Sequence, residues 1–187
     1  MEYYDQTFDR EAYKGKPMKQ VVFEQCRFNG IDFTGNDFTG AAFSDCTFDR
    51  CNLQMLPVDH TMFATVTFTN CKLNGINFGN CNSFRFEVHF NSCLLDYAYF
   101  FEKNMKKAKF TDCSIKQAHF VQCDLSGAQF NQCDLQATVF DRNNLQSADF
   151  SNAQNLSLDP EANKIKKAKF SLYNLAGLLA KYDIVVK

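Results

Sequence analysis

Nine cysteines, three histidines and 21 carboxylates are the side chains of this 187-residue chain that could do chemistry. Cysteine thiolates at C-x2-C spacing would hold zinc, and paired carboxylates would serve acid–base work. Neither pattern occurs. Cys26, Cys46, Cys51, Cys71, Cys81, Cys93, Cys113, Cys123 and Cys133 are separated by multiples of five residues, apart from the step between Cys81 and Cys93. An odd cysteine count and no basic, apolar leader argue against a secreted disulfide framework. His60, His89 and His119 are isolated, and Asp and Glu are scattered. No glycine-rich phosphate loop, nucleophile elbow or metal motif is present. The expectation is a protein that is not an enzyme, with no catalytic residue, metal, cofactor or small-molecule substrate.

The spacing of the cysteines points to what positions them. From Phe90 to Phe150 every fifth residue is large and apolar, with Phe alternating with Leu, Ile or Met. Two residues earlier runs a small register: Cys93, Ala98, Ala108, Cys113, Ala118, Cys123, Ala128, Cys133 and Ala148. All nine cysteines fall on this register, which reads them as small buried hydrophobes. All but Phe84, Phe86 and Phe101 of the 21 Phe fall on the two registers. A period of five fits neither a helix nor a strand. It fits a solenoid whose unit points two side chains inward and then turns a corner. Like residues recur every twenty positions, as in Phe90, Phe110, Phe130 and Phe150, so four units close one coil. Phe columns should line two opposite faces, and Leu, Ile and Met the other two.

Cys123-Asp124-Leu125-Ser126-Gly127 and Ala128-Gln129-Phe130-Asn131-Gln132 resemble the A(D/N)LXX unit of the pentapeptide repeat family. The resemblance covers most of the chain and implies an all-β solenoid, a right-handed quadrilateral β-helix. Domain boundaries follow. Residues 1–170 form the β-helix, with an irregular first coil to about 20 where Gly15, Lys16 and Pro17 interrupt pairing. A two-residue register shift lies within 79–89, with Ser83, Phe84 or Phe86 taking the core slot. A break spans 152–163, around Pro160. Residues 171–187 form a short C-terminal α-helix, with Ser171 as N-cap and Leu172, Leu175, Leu178, Leu179 and Tyr182 at helical spacing. Gly177 weakens that helix, and Ile184, Val185 and Val186 form a short strand.

Leu-Leu-x-x-Tyr-x-Ile-Val-Val at this terminus resembles the ending of the Qnr-type and microcin-immunity members of the family. The resemblance implies a homodimer through Leu172, Leu175, Leu178, Leu179, Tyr182, Ile184, Val185 and Val186. It also implies a DNA-mimicking rod that binds DNA gyrase or topoisomerase IV and protects against quinolones or toxins. Segment 111–161 carries seven acids against Lys116 and Arg142. Asp112, Asp124, Asp134, Asp141 and Asp149 make the candidate acidic face. Two lysine clusters interrupt the acidity: Lys103, Lys106, Lys107 and Lys109, then Lys164, Lys166, Lys167 and Lys169. The alternative is an interaction scaffold that uses an aromatic patch of Phe84, Phe86, Tyr97, Tyr99 and Phe101. A net charge of −1 gives no global case for nucleic acid or membrane binding, so neither direct nucleic acid nor a membrane is expected as a partner. No apolar run is long enough to span a bilayer, so a cytoplasmic protein is expected.

Overall fold

The computed structural model describes residues 1–185. The chain winds into a right-handed, four-sided parallel β-solenoid of about eight turns. Each five-residue unit points its small and its central residue inward. Two residues past the central one the backbone enters the left-handed region, as at Gln25 (φ 53), Asp45 (φ 53) and Ala137 (φ 56), and the chain turns a corner. L-residues pay for that conformation in strain. The coil ahead holds them in it: Gln25 N–H donates to Ser44 C=O and Asp45 N–H to Ala64 C=O, each at 2.9 Å.

Face 1 begins as the parallel sheet Glu2–Tyr4, Val22–Glu24, Ala42–Ser44, Met62–Ala64. Face 2 is a nine-stranded sheet that runs the length of the solenoid, from Thr7–Phe8 to Lys169–Phe170. Face 3 is held by single bridges, Asp32 to Asn52 to Lys72 to Leu94 to Ser114 to Asp134. Face 4 carries the sheet Tyr99–Phe101, His119–Val121, Val139–Asp141. Faces 2 and 4 lie opposite and hold the Phe columns: Phe100, Phe120 and Phe140 stack at 4.7 and 5.2 Å. Aliphatics fill face 3 from Leu53 and Leu73 onward, but face 1 only in the C-terminal half. In the N-terminal half, face 1 stacks Phe23, Phe43 and Phe63.

The register shift is resolved at Phe86. It is buried and faces Phe78, whereas Ser83 and Phe84 are exposed. Residues 82–85 therefore bulge outward between Cys81 and Phe86. One coil on, Lys103 stands two residues before Met105, on the small inward register, and is only 2 % exposed. Its ammonium donates to Cys81 C=O (2.7 Å) and Ser83 Oγ (2.8 Å) and lies 5.6 Å from the Phe86 ring centre. The bulge makes room for the long side chain and supplies its acceptors. Lys103 thus leaves the surface cluster to which its sequence neighbours assign it. Burial holds its ammonium below the usual lysine pKa.

Both ends are covered. Asp9 caps the short helix Arg10–Tyr13 by accepting from Glu11 and Ala12 N–H. The Lys16 ammonium then lies 5.9 and 5.7 Å from the Tyr3 and Phe8 rings at the head of the aromatic column. At the other end the expected single helix is broken. Leu172–Asn174 and Ala180–Tyr182 are 3-10 turns, and only Leu175–Leu178 is α-helical. Ser171 makes no side-chain cap bond; Asn174 turns inward instead and donates to Phe150 and Ala153 C=O. Gly177 is required for packing: a Cβ there would sit 1.9 Å from Leu156 O. Ile184 and Val185 are exposed and not in a strand; Val186 lies outside the described residues.

Candidate binding surfaces

The inward polar groups are spent on the fold. Thiols of Cys46, Cys51, Cys71 and Cys123 donate to the carbonyl of the central residue 23 positions earlier, Phe23, Phe28, Phe48 and Phe100. Thr61 and Thr138 hydroxyls and the Asn143 and Asn163 amides repeat the same bond. A small donor on this register satisfies a carbonyl at the corner, which explains why Cys, Thr and Asn are admitted to an otherwise apolar column. All nine cysteines are free and buried, and burial pushes the Cys46 thiol up to about 12, out of the reactive range. Among the described residues no group of three or more His, Cys, Asp or Glu could hold a metal. No helix among them is long and apolar enough to cross a membrane.

The candidate acidic residues do not converge. Asp112 stands at the corner after face 2, Asp124 on face 1, Asp134 on face 3, Asp141 on face 4 and Asp149 on face 2. Four of the five are ion-paired: Lys106–Asp124 (3.4 Å), Lys116–Asp134 (3.1 Å), Arg142–Asp141 (3.0 Å) and Lys169–Asp149 (3.2 Å). Several also close a local turn, Asp124 accepting from Ser126 N–H and Asp149 from Ser151 N–H. Partial burial works to raise the Asp124 carboxyl. The Ser126 hydrogen bonds and the Lys106 ammonium outweigh it and hold the group below the usual carboxylate range.

The aromatic candidates divide. Phe86 belongs to the core, because the bulge delivers it to the inward slot. Phe84 and Tyr97 are exposed, at the bulge and at a left-handed corner. Tyr99 and Phe101 lie side by side on the outer surface of face 4, half-buried, with ring centres 6.4 Å apart. Gly79 lies beneath them, where a Cβ would press on both. His119, Val121 and Val139 continue this surface on the next two strands.

The tail has two sides. Asn174, Gly177 and Leu178 face the last coil. Lys181 bridges Asp159 (2.7 Å) and Glu161 (2.6 Å), and Tyr182 Oη donates to Glu161, latching the tail down. The other side displays Leu172, Tyr173, Leu175, Leu179, Ile184 and Val185, with Leu172 85 % and Tyr173 96 % exposed.

Family models agree with this geometry. The model "Pentapeptide repeat region" matches residues 21–100, and "Pentapeptide repeats (8 copies)" matches 104–140 and 123–154. This chain belongs to the pentapeptide repeat family. No curated protein matches it in sequence. Similar solved structures include a trypsin-treated variant of QnrB1, a plasmid-mediated fluoroquinolone resistance protein, at 16% identity and TM-score 0.39, covering 100% of this chain and 98% of that one. Full-length QnrB1 follows at 18% identity and TM-score 0.35, covering 98% and 97%. HetL, a pentapeptide repeat protein involved in heterocyst differentiation regulation from the cyanobacterium Nostoc sp. strain PCC 7120, has 17% identity and TM-score 0.32, covering 84% and 76%.

Lys103 was countable as inward from its register alone, two before Met105. Its run of lysine neighbours hid that signal.

Proposed function

We propose that this pentapeptide repeat protein is a non-catalytic binding protein that works as a tail-to-tail homodimer and docks on a type II topoisomerase, DNA gyrase or topoisomerase IV. The observation that carries the reading is the outer side of the tail. Leu172, Tyr173, Leu175, Ile184 and Val185 form an apolar end surface on a chain whose inner tail residues already complete the cap. Such a surface on a rigid rod is suited to an isologous contact with a second copy. The tail's resemblance to Qnr-type proteins supplies the partner class, and protection against quinolones or peptide toxins would be the consequence. The acids support the reading less, since they lie on four faces and most are neutralised by a neighbouring cation. The test is a supercoiling assay with purified gyrase, with and without ciprofloxacin. The protein should alter supercoiling or restore it in the presence of the drug. No effect on gyrase or topoisomerase IV at micromolar dimer would overturn it.

A specific observation favours a second reading, a scaffold for another protein. Tyr99 and Phe101, with Val121 and Val139 beside them, give face 4 an outward apolar surface on rigid strands, and aromatic residues are common anchors at interfaces. Tyr99→Ser/Phe101→Ser would abolish partner binding under this reading and leave gyrase inhibition intact under the first.

A further inference from the structure

The solenoid brings the two lysine clusters onto one side of the last four coils. The segments concerned are 104–109, 124–129, 144–149 and 164–169. Register places Asn104, Asp124, Asn144 and Lys164 in one column, and Lys109, Gln129, Asp149 and Lys169 in another. The corner between faces 1 and 2 stacks Lys107, Gly127, Ser147 and Lys167, joined by corner hydrogen bonds from Lys107 N–H to Ser126 C=O and from Ser147 N–H to Lys166 C=O. The four segments hold Lys106, Lys107, Lys109, Lys164, Lys166, Lys167 and Lys169 against Asp124 and Asp149 alone. All seven lysines are exposed. Lys106 and Lys169 are paired with the two aspartates; among the described residues the other five make no ion pair. Glu102 and Asp112 stand at the two corners that bound this side. A chain with net charge −1 has therefore gathered a strongly positive side, which its sequence disperses.

We infer that this lysine-bearing side is a docking surface for the phosphate backbone of double-stranded DNA. Three features select that partner. First, the cations form two rows three coils apart, about 14 Å at about 4.8 Å per rung. Flexible lysine side chains on such rows reach two phosphate strands that flank a groove of about 6 to 12 Å. Second, the strip between the rows presents Ser126, Gln129, Asn144, Gln146 and Ser147, and hydroxyl and amide groups of this kind bond phosphate and sugar. Third, these segments expose no aromatic or large aliphatic side chain. A protein partner would need such anchors, and a bilayer would need apolar residues to insert. The inference stands apart from the topoisomerase reading, since the purified protein needs no enzyme to show it.

The test uses the full-length protein and a fluorescein-labelled 20-base-pair DNA duplex, followed by anisotropy between about 50 and 200 mM salt. With about five phosphate contacts the log–log salt slope should be about −4.5 to −5, so affinity should fall several hundred-fold across that range. The variant Lys107→Gln/Lys109→Gln/Lys166→Gln/Lys167→Gln should bind at least tenfold more weakly and flatten the slope by about 3 to 4 units. Lys14→Gln/Lys72→Gln, off this surface, should change neither quantity. These side chains are exposed, so circular dichroism should show both variants folded. No binding at 50 mM salt would overturn the inference. So would equal losses in the two variants, or tighter binding to anionic lipid vesicles or polyglutamate than to the duplex.

Discussion

Ala137 holds a left-handed backbone, φ 56, with an exposed side chain. Its Cβ costs about 1–2 kcal/mol there, and glycine would lose part of that gain to unfolded-state entropy. Ala137→Gly should therefore raise stability by about 0.5–1 kcal/mol in urea titration, whereas the same change in a helix would lower it. Phe120 stands fully buried between Phe100 and Phe140. Phe120→Ala should cost about 3–5 kcal/mol by the same measurement, because the strands on either side cannot collapse into the void. The aspartates at the turns set an acid limit. Thr34 side-chain and backbone donors hold Asp32 below its ordinary 3.8, Thr39 does the same for Asp37, and Ser151 N–H does so for Asp149. The unfolded chain takes up these protons near 3.8 while the folded one resists, so protons favour unfolding. Stability should hold at pH 5 and decline as the pH falls through about 4 towards the lower folded values. Thermal melts at pH 5 and pH 3 check this.

The repeating unit was legible in the sequence because its requirement is local: two inward residues, one small and one large, then a corner. Phe120, Leu125 and Cys123 could be placed from spacing alone. The bulge was not, because three residues competed for one slot and only packing against Phe78 selects Phe86. The tail misled for a related reason. Leucines at helical spacing predict a helix, but Asn174 is drawn to the Phe150 carbonyl and Gly177 to Leu156, which breaks the helix into turns. The surface sites were least legible, since the register says which residues face outward and not which faces collect charge. Each irregular element yields a prediction. Lys103→Met removes the clasp from Cys81 C=O and Ser83, and an unpaired carbonyl costs about 1–3 kcal/mol. Residues 82–85 should loosen while the coils persist, so trypsin should cut after exposed Arg85 faster than in the parent. Gly177→Ala places a Cβ on the Leu156 carbonyl and should release the tail, read as faster hydrogen exchange at Leu158 N–H, which donates to Gly177 C=O.

At the scale of the molecule, a solenoid of about eight rungs at about 4.8 Å each is a rod of roughly 35–40 Å. One end is closed by Lys16 over the aromatic column, the other by the tail. In the proposed dimer the tail's inner side closes the coil and its outer side would meet a second chain. Deleting Leu172–Lys187 would remove both roles, along with the Asn174 amide and the Lys181 latch, and would expose Phe150 backbone. Leu172→Ser/Tyr173→Ser is cleaner, because both side chains are almost fully exposed and neither supports the cap. That variant should keep the parent's thermal stability at low protein concentration yet sediment as a monomer where the parent sediments as a dimer. Under the proposed function a twofold type II topoisomerase would engage both arms of a dimeric rod, so losing the second arm should weaken binding by about a hundredfold or more through lost avidity. Sedimentation velocity and a gyrase pull-down on the same preparation measure the two effects together. A monomeric parent would refute the dimer. A monomeric variant that still holds gyrase as tightly as the parent would show that one rod suffices and that the tail serves the fold alone.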